Sequence, residues 1–290
     1  MSVADHVVRA ITKDGAFRVI AAVTTSTARD VAAAQGLTGD LALRLAELLT
    51  SAILVRETTQ PARRVQLIWR DARGGTLVAD ALPDGSNRAI VNPGELEAHA
   101  PGVAGDHLLQ VNYTLPNGAM HQGIVGISQG TDMATALMQY MQESESTLSI
   151  VGLAALDGPD GARTVGGYLV QLLPEATREV IGELTDRLGN LPPLANLLDG
   201  ASLSGHDLVE RVLDGFPYDR LADSPLTFGC TCNEGRVLQS LLTLGDDELE
   251  QMIAGDTMDV RCDACGARYE VEPSSLRAMR DLQRQSGPPN

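Results

Sequence analysis

Lysine and aromatic residues are scarce in this sequence of 290 residues. It has one lysine, Lys13, beside 21 arginines, and only 3% of its residues are Phe, Trp or Tyr. Acidic residues outnumber basic ones, and the formal net charge is −16. Because nucleic-acid binding draws on clustered lysine and arginine, this balance argues against a nucleic-acid partner.

Long apolar runs are absent as well. No stretch approaches the roughly 18 apolar residues of a membrane-spanning helix. The start of the sequence, Met1 to His6, does not combine basic residues with a following apolar run, as a secretion signal would. We therefore expect a cytoplasmic protein with no membrane partner. Thiols stay reduced in that compartment, which favours metal ligation over structural disulfides.

Cysteine is rare, but its four copies fall into two close pairs. They are Cys230 and Cys232, then 29 intervening residues, then Cys262 and Cys265. Four unrelated buried cysteines would not explain this pairing. Soft thiolates in a four-coordinate tetrahedral set suit zinc, so the spacing predicts one Zn²⁺ ion per chain in the reduced form.

The residues around the cysteine pairs do not favour a catalytic metal. A catalytic zinc keeps an open position and usually has a histidine or carboxylate ligand, and none of the five histidines lies near the pairs in sequence. No phosphate-binding loop and no supported Ser–His–Asp set occurs elsewhere. The sequence therefore does not indicate an enzyme.

The last part of the chain is predicted to form a small module, 228–283, followed by a disordered tail, 284–290. The spacing of apolar residues predicts helices at 234–243 and 246–254. Segments 258–261 and 267–271 are predicted to form a hairpin around the second cysteine pair. A unit of this size has little core, so metal binding must supply much of its folding free energy, on the order of 10 kcal/mol.

Residues 1–174 are predicted to form an α+β core domain. Strands are expected at 15–24, in a run over 64–127, and at 147–156 and 163–173, with helices at 38–57 and 131–145, because the apolar residues recur at the matching periods. Several strands in sequence with few helices favour a large domain with a mainly antiparallel sheet and packed helices.

Residues 175–227 differ from this core. They show no strand pattern, and prolines separate and flank two predicted helices, 175–189 and 204–214. Apolar residues are too frequent for a disordered linker, and broken amphipathic helices need another surface to cover their apolar sides. We therefore predict a marginally stable helical linker layer that docks on the core.

The four cysteines are also candidates for a redox switch. Oxidation of zinc-bound thiolates to disulfides expels the metal, and a module folded by metal then unfolds. Four cysteines allow three pairings. The short spacings make Cys230–Cys232 and Cys262–Cys265 the easiest closures.

Several segments resemble the heat shock protein 33 family, a family of redox-regulated holdase chaperones. The resemblance is carried by both cysteine segments, by the acidic start of the second module helix and by three segments upstream. These are Phe228–Cys232, Cys262–Gly266 with Tyr269, Asp246–Glu248, Gln122–Gly126, Tyr140 with Ser144–Glu145, and Gly166–Pro174.

This resemblance implies an ATP-independent chaperone of the heat-shock and oxidative-stress response. Its reduced, zinc-bound form is expected to be inactive. Oxidation would form the disulfides Cys230–Cys232 and Cys262–Cys265, release zinc, and unfold the module together with the linker. The apolar surface exposed in this way would bind unfolding client proteins and prevent their aggregation, and the oxidised form would dimerise.

Two alternatives remain open from the residues alone. One is a structural zinc protein that binds a fixed, folded partner. The other is a thiol–disulfide oxidoreductase that uses Cys262 and Cys265.

Overall fold

The structure, a computed structural model, describes residues 4–59, 63–72, 74–92, 107–158, 161–199 and 203–286. The chain divides into two compact units, Met1–Gly229 and Cys230–Asn290. In the described ranges, no helix has both the length and the apolar character needed to cross a membrane.

Two sheets form the first unit. One consists of five strands: β1 (His6–Thr12), β2 (Phe17–Val23), β8 (Ser149–Gly158), β9 (Gly161–Leu172) and β10 (Tyr218–Pro225). Their order is β10-β1-β2-β9-β8, and all neighbours are antiparallel.

The other sheet has six strands: β3 (Arg64–Arg70), β4 (Thr76–Ala81), β5 (Ser86–Asn92), β6 (His107–Thr114), β7 (Met120–Ile127) and β11 (Thr227–Phe228). Their order is β11-β5-β4-β3-β6-β7. The short β11 pairs parallel with β5, and the other pairs are antiparallel.

One long helix lies between the two sheets. The helices of this part of the chain are α1 (Thr25–Gln35), α2 (Gly39–Thr58) and α3 (Met133–Glu143). Helix α2 contacts β2, β8 and β9 of the first sheet and β3, β4 and β5 of the second. Every residue from Leu48 to Glu57 is buried, whereas a helix packed on one side buries a single stripe.

The predicted α+β class is confirmed, with antiparallel pairing almost throughout. The predicted strands and the helices at 38–57 and 131–145 are present to within a few residues. The expectation of a single sheet is wrong, because the strands form two sheets around α2. Strand β1, which was not predicted, lies between β10 and β2 in the five-stranded sheet.

The predicted linker contains helices α4 (Arg178–Gly189), α5 (Leu194–Leu198) and α6 (Gly205–Val212). Their apolar residues pack with one face of the five-stranded sheet in a continuous cluster that includes Phe17, Val19, Val170, Leu184, Leu198, Leu208 and Val212.

The prediction that 175–227 contains no strand is wrong. Residues Tyr218–Pro225 form β10, which pairs with β1 at the edge of the five-stranded sheet. Edge strands carry polar residues and tolerate proline, so β10 lacks the apolar alternation by which strands are recognised. The boundary at residue 174, and with it the division into core and linker, stays a prediction.

The second unit has α7 (Glu234–Leu241), α8 (Asp246–Ala254), β12 (Met258–Arg261), β13 (Arg268–Val271) and α9 (Pro273–Ser286). Strands β12 and β13 form the predicted hairpin. Its apolar cluster is small, with six buried members in the part that the structure describes: Val237, Leu238, Leu249, Ile253, Val271 and Leu276. The disordered tail predicted for 284–290 is wrong at 284–286, which continue α9, and 287–290 lie outside the described residues.

Candidate metal centre

Two chain segments supply the four cysteines. Cys230 and Cys232 precede α7, and Cys262 and Cys265 lie in the turn that joins β12 to β13. In that turn the Cys262 amide donates to the Ala267 carbonyl, and the Gly266 amide donates to the Cys262 carbonyl, both at 2.8 Å. Gly266 has a φ of 75°, a left-handed conformation that favours glycine.

The four sulfur atoms lie at the spacing of ligands to one ion. All four Sγ atoms are within 4.8 Å of one another. The Cys230–Cys262 and Cys232–Cys265 pairs are separated by 3.7 and 3.4 Å, and none of the four cysteines is in a disulfide. With Zn–S bonds of about 2.3 Å, a tetrahedral site places its sulfur atoms about 3.8 Å apart. The donor set therefore fits one metal ion.

These distances do not choose a disulfide pairing. The two short contacts join one cysteine from each sequence pair, whereas the predicted disulfides join cysteines within a pair. In a tetrahedral set every sulfur is nearly equidistant from the other three, so any pairing is close by. The predicted pairing Cys230–Cys232 and Cys262–Cys265 stays a prediction.

Without a metal ion, two of the four cysteines disfavour the thiolate form. Burial raises the pKa of the Cys265 thiol to about 12. The hydrogen bond from Tyr269 lowers the pKa of Cys232, but removal from water keeps that pKa above its ordinary value. A bound cation reverses this preference, since it stabilises deprotonated sulfur directly. The four sulfurs are thus arranged to take up a metal together with the loss of their protons.

Tyr269 in β13 is a polar neighbour of the sulfurs to which the sequence assigned no role. Its hydroxyl donates to Cys232 Sγ at 3.0 Å. The same hydrogen bond raises the pKa of Tyr269 to about 12, so the hydroxyl remains a donor at neutral pH. Its only signal in the sequence is its place in the resemblance, two residues beyond the second cysteine turn.

The chain thus belongs to a class of two-unit proteins: an α+β unit with two sheets is followed by a small module whose four clustered cysteines can hold a metal ion. The model of the Hsp33 protein family matches residues 5–272. The chain belongs to this family. Its members are chaperones and not enzymes, so the expected absence of catalysis is confirmed and the oxidoreductase interpretation is wrong.

Similar proteins agree with this assignment over almost the whole chain. The "33 kDa chaperonin" of Geobacter sulfurreducens is 31% identical and covers 96% of each chain. That of Syntrophotalea carbinolica is 32% identical over 95% of this chain and 99% of its own. The crystal structure of the 33 kDa chaperonin from Thermotoga maritima matches with a TM-score of 0.81 at 21% identity, covering 98% of this chain and all of that one.

Membership of a chaperone family settles the general function. The protein is a chaperone, and its partners are unfolded proteins, as the sequence predicted.

Proposed function

We propose that the protein is a redox-regulated, ATP-independent holdase of the cytoplasm. Its switch is a single Zn²⁺ ion held by Cys230, Cys232, Cys262 and Cys265. The observation that carries this proposal is the convergence of the four Sγ atoms within 4.8 Å of one another in a module with little core of its own.

Zinc supplies the cross-link that the module lacks. Six buried apolar residues form its core. Zinc binding to comparable modules releases on the order of 10 kcal/mol, which accounts for their folding. The reduced, zinc-bound module is therefore folded, and loss of the ion unfolds it.

Oxidation removes the ligands in pairs. A peroxide oxidises one thiolate to sulfenic acid, and a second thiol displaces water to form the disulfide. Each disulfide takes two electrons from two thiols and reduces one peroxide to two water molecules. Two peroxides thus convert Cys230–Cys232 and Cys262–Cys265 to disulfides, and zinc leaves because disulfide sulfur is a poor ligand.

Unfolding of the module affects the linker because the two segments are consecutive in the chain. Cys230 follows directly on Gly229, whose amide donates to the Asn87 carbonyl at 2.9 Å, beside the two paired residues of β11. So short a strand is marginal by itself. When the chain after Gly229 unfolds, β11 separates from β5 and β10 then separates from β1. The helices α4–α6 detach with them.

Detachment uncovers two apolar surfaces. One is the sheet face that includes Phe17, Val19 and Val170, and the other is the apolar side of α4–α6. Contiguous apolar surface of this kind binds the exposed cores of unfolding proteins without ATP, and it also favours dimerisation of the oxidised form. The ten acidic and four basic residues of 175–227 keep the loaded complex from precipitating.

Zinc release and client aggregation, measured side by side, test the proposal. Peroxide with mild heat is expected to release about one zinc per chain, by the four-ligand count, and to suppress aggregation of a denatured client. A Cys265→Ser variant is expected to hold little zinc and to suppress aggregation without oxidant. Thr231→Ser, between two ligands, is the matched control and behaves as wild type.

Equal suppression by the reduced, zinc-loaded protein would contradict the switch. Binding to one folded partner, independent of oxidation, would instead support a structural zinc protein. Mass spectrometry of the oxidised chain after proteolysis identifies the disulfides, and any pairing other than Cys230–Cys232 with Cys262–Cys265 corrects that part of the proposal.

A further inference from the structure

Two histidines and an aspartate from three elements of the first unit form a second group of metal-ligating side chains. His6 begins β1, His206 lies in the first turn of α6, and Asp223 lies in β10. One ligand atom of each lies within 4.8 Å of those of the other two. These residues are far apart in sequence, and the cysteine centre does not involve them.

His6 is oriented as a metal-binding histidine. Its Nδ1 donates to the Ala4 carbonyl at 2.7 Å, so the ring carries its proton there and its lone pair on Nε2. That lone pair accepts from the Gly205 amide at 3.0 Å, at the start of α6. A backbone carbonyl on one ring nitrogen is the usual way in which a protein directs the other nitrogen toward a metal.

His206 and Asp223 complete the group. His206 Nε2 is 2.7 Å from Asp223 Oδ2, and the two rings of His6 and His206 lie 5.7 Å apart. The side chains of His206 and Asp223 are 30% and 49% exposed, so an ion from solvent reaches them. With metal–ligand bonds of about 2.0–2.1 Å, tetrahedral ligands lie about 3.3 Å apart, so the His206–Asp223 pair has to open by only about 0.6 Å.

We propose that His6, His206 and Asp223 bind a second divalent cation of the Zn²⁺ type, which links α6 and β10 to β1. Two imidazoles and one carboxylate suit zinc and its first-row neighbours, with water in the remaining position. Binding displaces the Gly205 hydrogen bond at His6 Nε2 and the direct contact between His206 and Asp223. It requires all three elements to be in place, so the ion binds the docked arrangement alone.

The ion then opposes separation of α6 and β10 from β1. A ligand that binds only the closed state reduces local opening by the factor 1 + [L]/Kd, about a hundredfold when free zinc is a hundred times Kd. If separation of these elements is the activating step, as in the function proposed above, excess zinc raises the threshold for activation.

Equilibrium dialysis of the full-length, reduced protein against Zn²⁺ measures the stoichiometry. The wild type is expected to bind two ions per chain, and His206→Gln and Asp223→Asn only one. His121→Gln, in β7, is the matched control and keeps both. Hydrogen exchange of the amides in α6 and β10 is expected to slow with excess zinc in the wild type and in the His121→Gln protein, but not in the other two.

A measurement on the wild type alone guards against misfolded variants. Co²⁺ added to protein that carries zinc at the cysteine centre alone is expected to broaden the imidazole NMR signals of His6 and His206, and not that of His121. One ion per chain in the wild type, or an unchanged second ion in His206→Gln and Asp223→Asn, overturns the proposal. Because none of these readouts involves a client or an oxidant, failure of the redox switch leaves them unaffected and is recognised separately.

Discussion

At the residue scale, the charge state of the cysteine sulfurs depends on their immediate neighbours. Cys265 is withdrawn from water, which holds its proton when no metal is present. Cys232 accepts a hydrogen bond from Tyr269, and that bond favours the thiolate. A neighbour that donates to a metal-bound sulfur lowers its negative charge and fixes its direction, as partners of metal ligands commonly do.

Replacing Tyr269 by Phe is therefore expected to weaken zinc binding without abolishing it. Loss of a hydrogen bond to a ligand typically costs about 10- to 100-fold in metal affinity. Competition with a chromophoric chelator measures the affinity, and Tyr218→Phe in β10 serves as the matched control. Unchanged affinity in Tyr269→Phe would show that its hydroxyl has no part in holding the ion.

A second prediction concerns Glu47 in α2. Burial raises the pKa of this carboxyl, and the nearby Asp132 raises it further, against the opposing effect of Arg44. The pKa of Glu47 is higher in the folded state than in the unfolded state. The contribution of this carboxyl to the free energy of unfolding is therefore fully present below the unfolded-state pKa and is lost as the pH rises through the folded-state pKa. At neutral pH the charged carboxylate is therefore unfavourable.

Glu47→Gln is expected to raise the free energy of unfolding at pH 7, and the gain should shrink as the pH falls through the pKa of Glu47. Urea unfolding at several pH values measures this difference. Glu143→Gln, on the exposed end of α3, removes the same charge and is the control. A gain that is independent of pH would point to a cause other than the carboxyl's ionisation.

At the element scale, α6 depends on its N-terminal cap. The helix has eight residues and a capping box in which Ser204 Oγ accepts from the Asp207 amide and Asp207 Oδ2 accepts from the Ser204 amide. Hydrogen bonds from Ser204 lower the pKa of Asp207. The cap is therefore complete at neutral pH, and its contribution is lost as the pH falls through the folded-state pKa of Asp207.

Ser204→Ala is expected to destabilise α6 by about 1 kcal/mol, because an amide at the helix start loses its acceptor. Faster hydrogen exchange in 205–212 and client binding at a lower oxidant dose are the measurements. Ser204→Thr keeps a capping hydroxyl and is expected to stay close to the wild type. Faster exchange without any change in client binding would separate α6 from the switch.

At the scale of the whole molecule, the two units differ in what holds them together. The first has a large core around α2, and the second has an apolar cluster of six buried residues in addition to the cysteine cluster. Trp69, the single tryptophan, lies in β3 with 2% of its surface exposed. Its fluorescence thus reports on the first unit alone.

Removal of zinc by a strong chelator under reducing conditions is expected to unfold the second unit and leave the core of the first intact. The helical circular dichroism of α7, α8 and α9 should fall as the ion is lost, while Trp69 emission stays native. Re-addition of zinc should restore the helical signal. A parallel change in Trp69 emission would mean that the two units unfold as one.

The sequence alone determined most of the local elements and the grouping of the four cysteines. Apolar residues at a period of two or 3.6 mark strands such as β3 and helices such as α2, because that spacing decides which side chains share a face. The cysteine pairs specify a four-thiolate cluster in the same way. The short turn from Cys262 to Cys265 keeps these two cysteines close together whatever surrounds it. Only one long-range contact, between the two pairs, is then needed to bring all four cysteines together.

Only the tertiary structure decided which elements meet. Two sheets rather than one enclose α2, because the partners of a strand depend on surfaces distant in sequence. The polar β10 joins the sheet edge beside β1, because an edge strand needs no apolar alternation. The same closure brings His6, His206 and Asp223 together from three separate elements. Short spacing reveals the cysteine centre in the sequence, whereas the histidine group exists only once α6 and β10 have docked on β1.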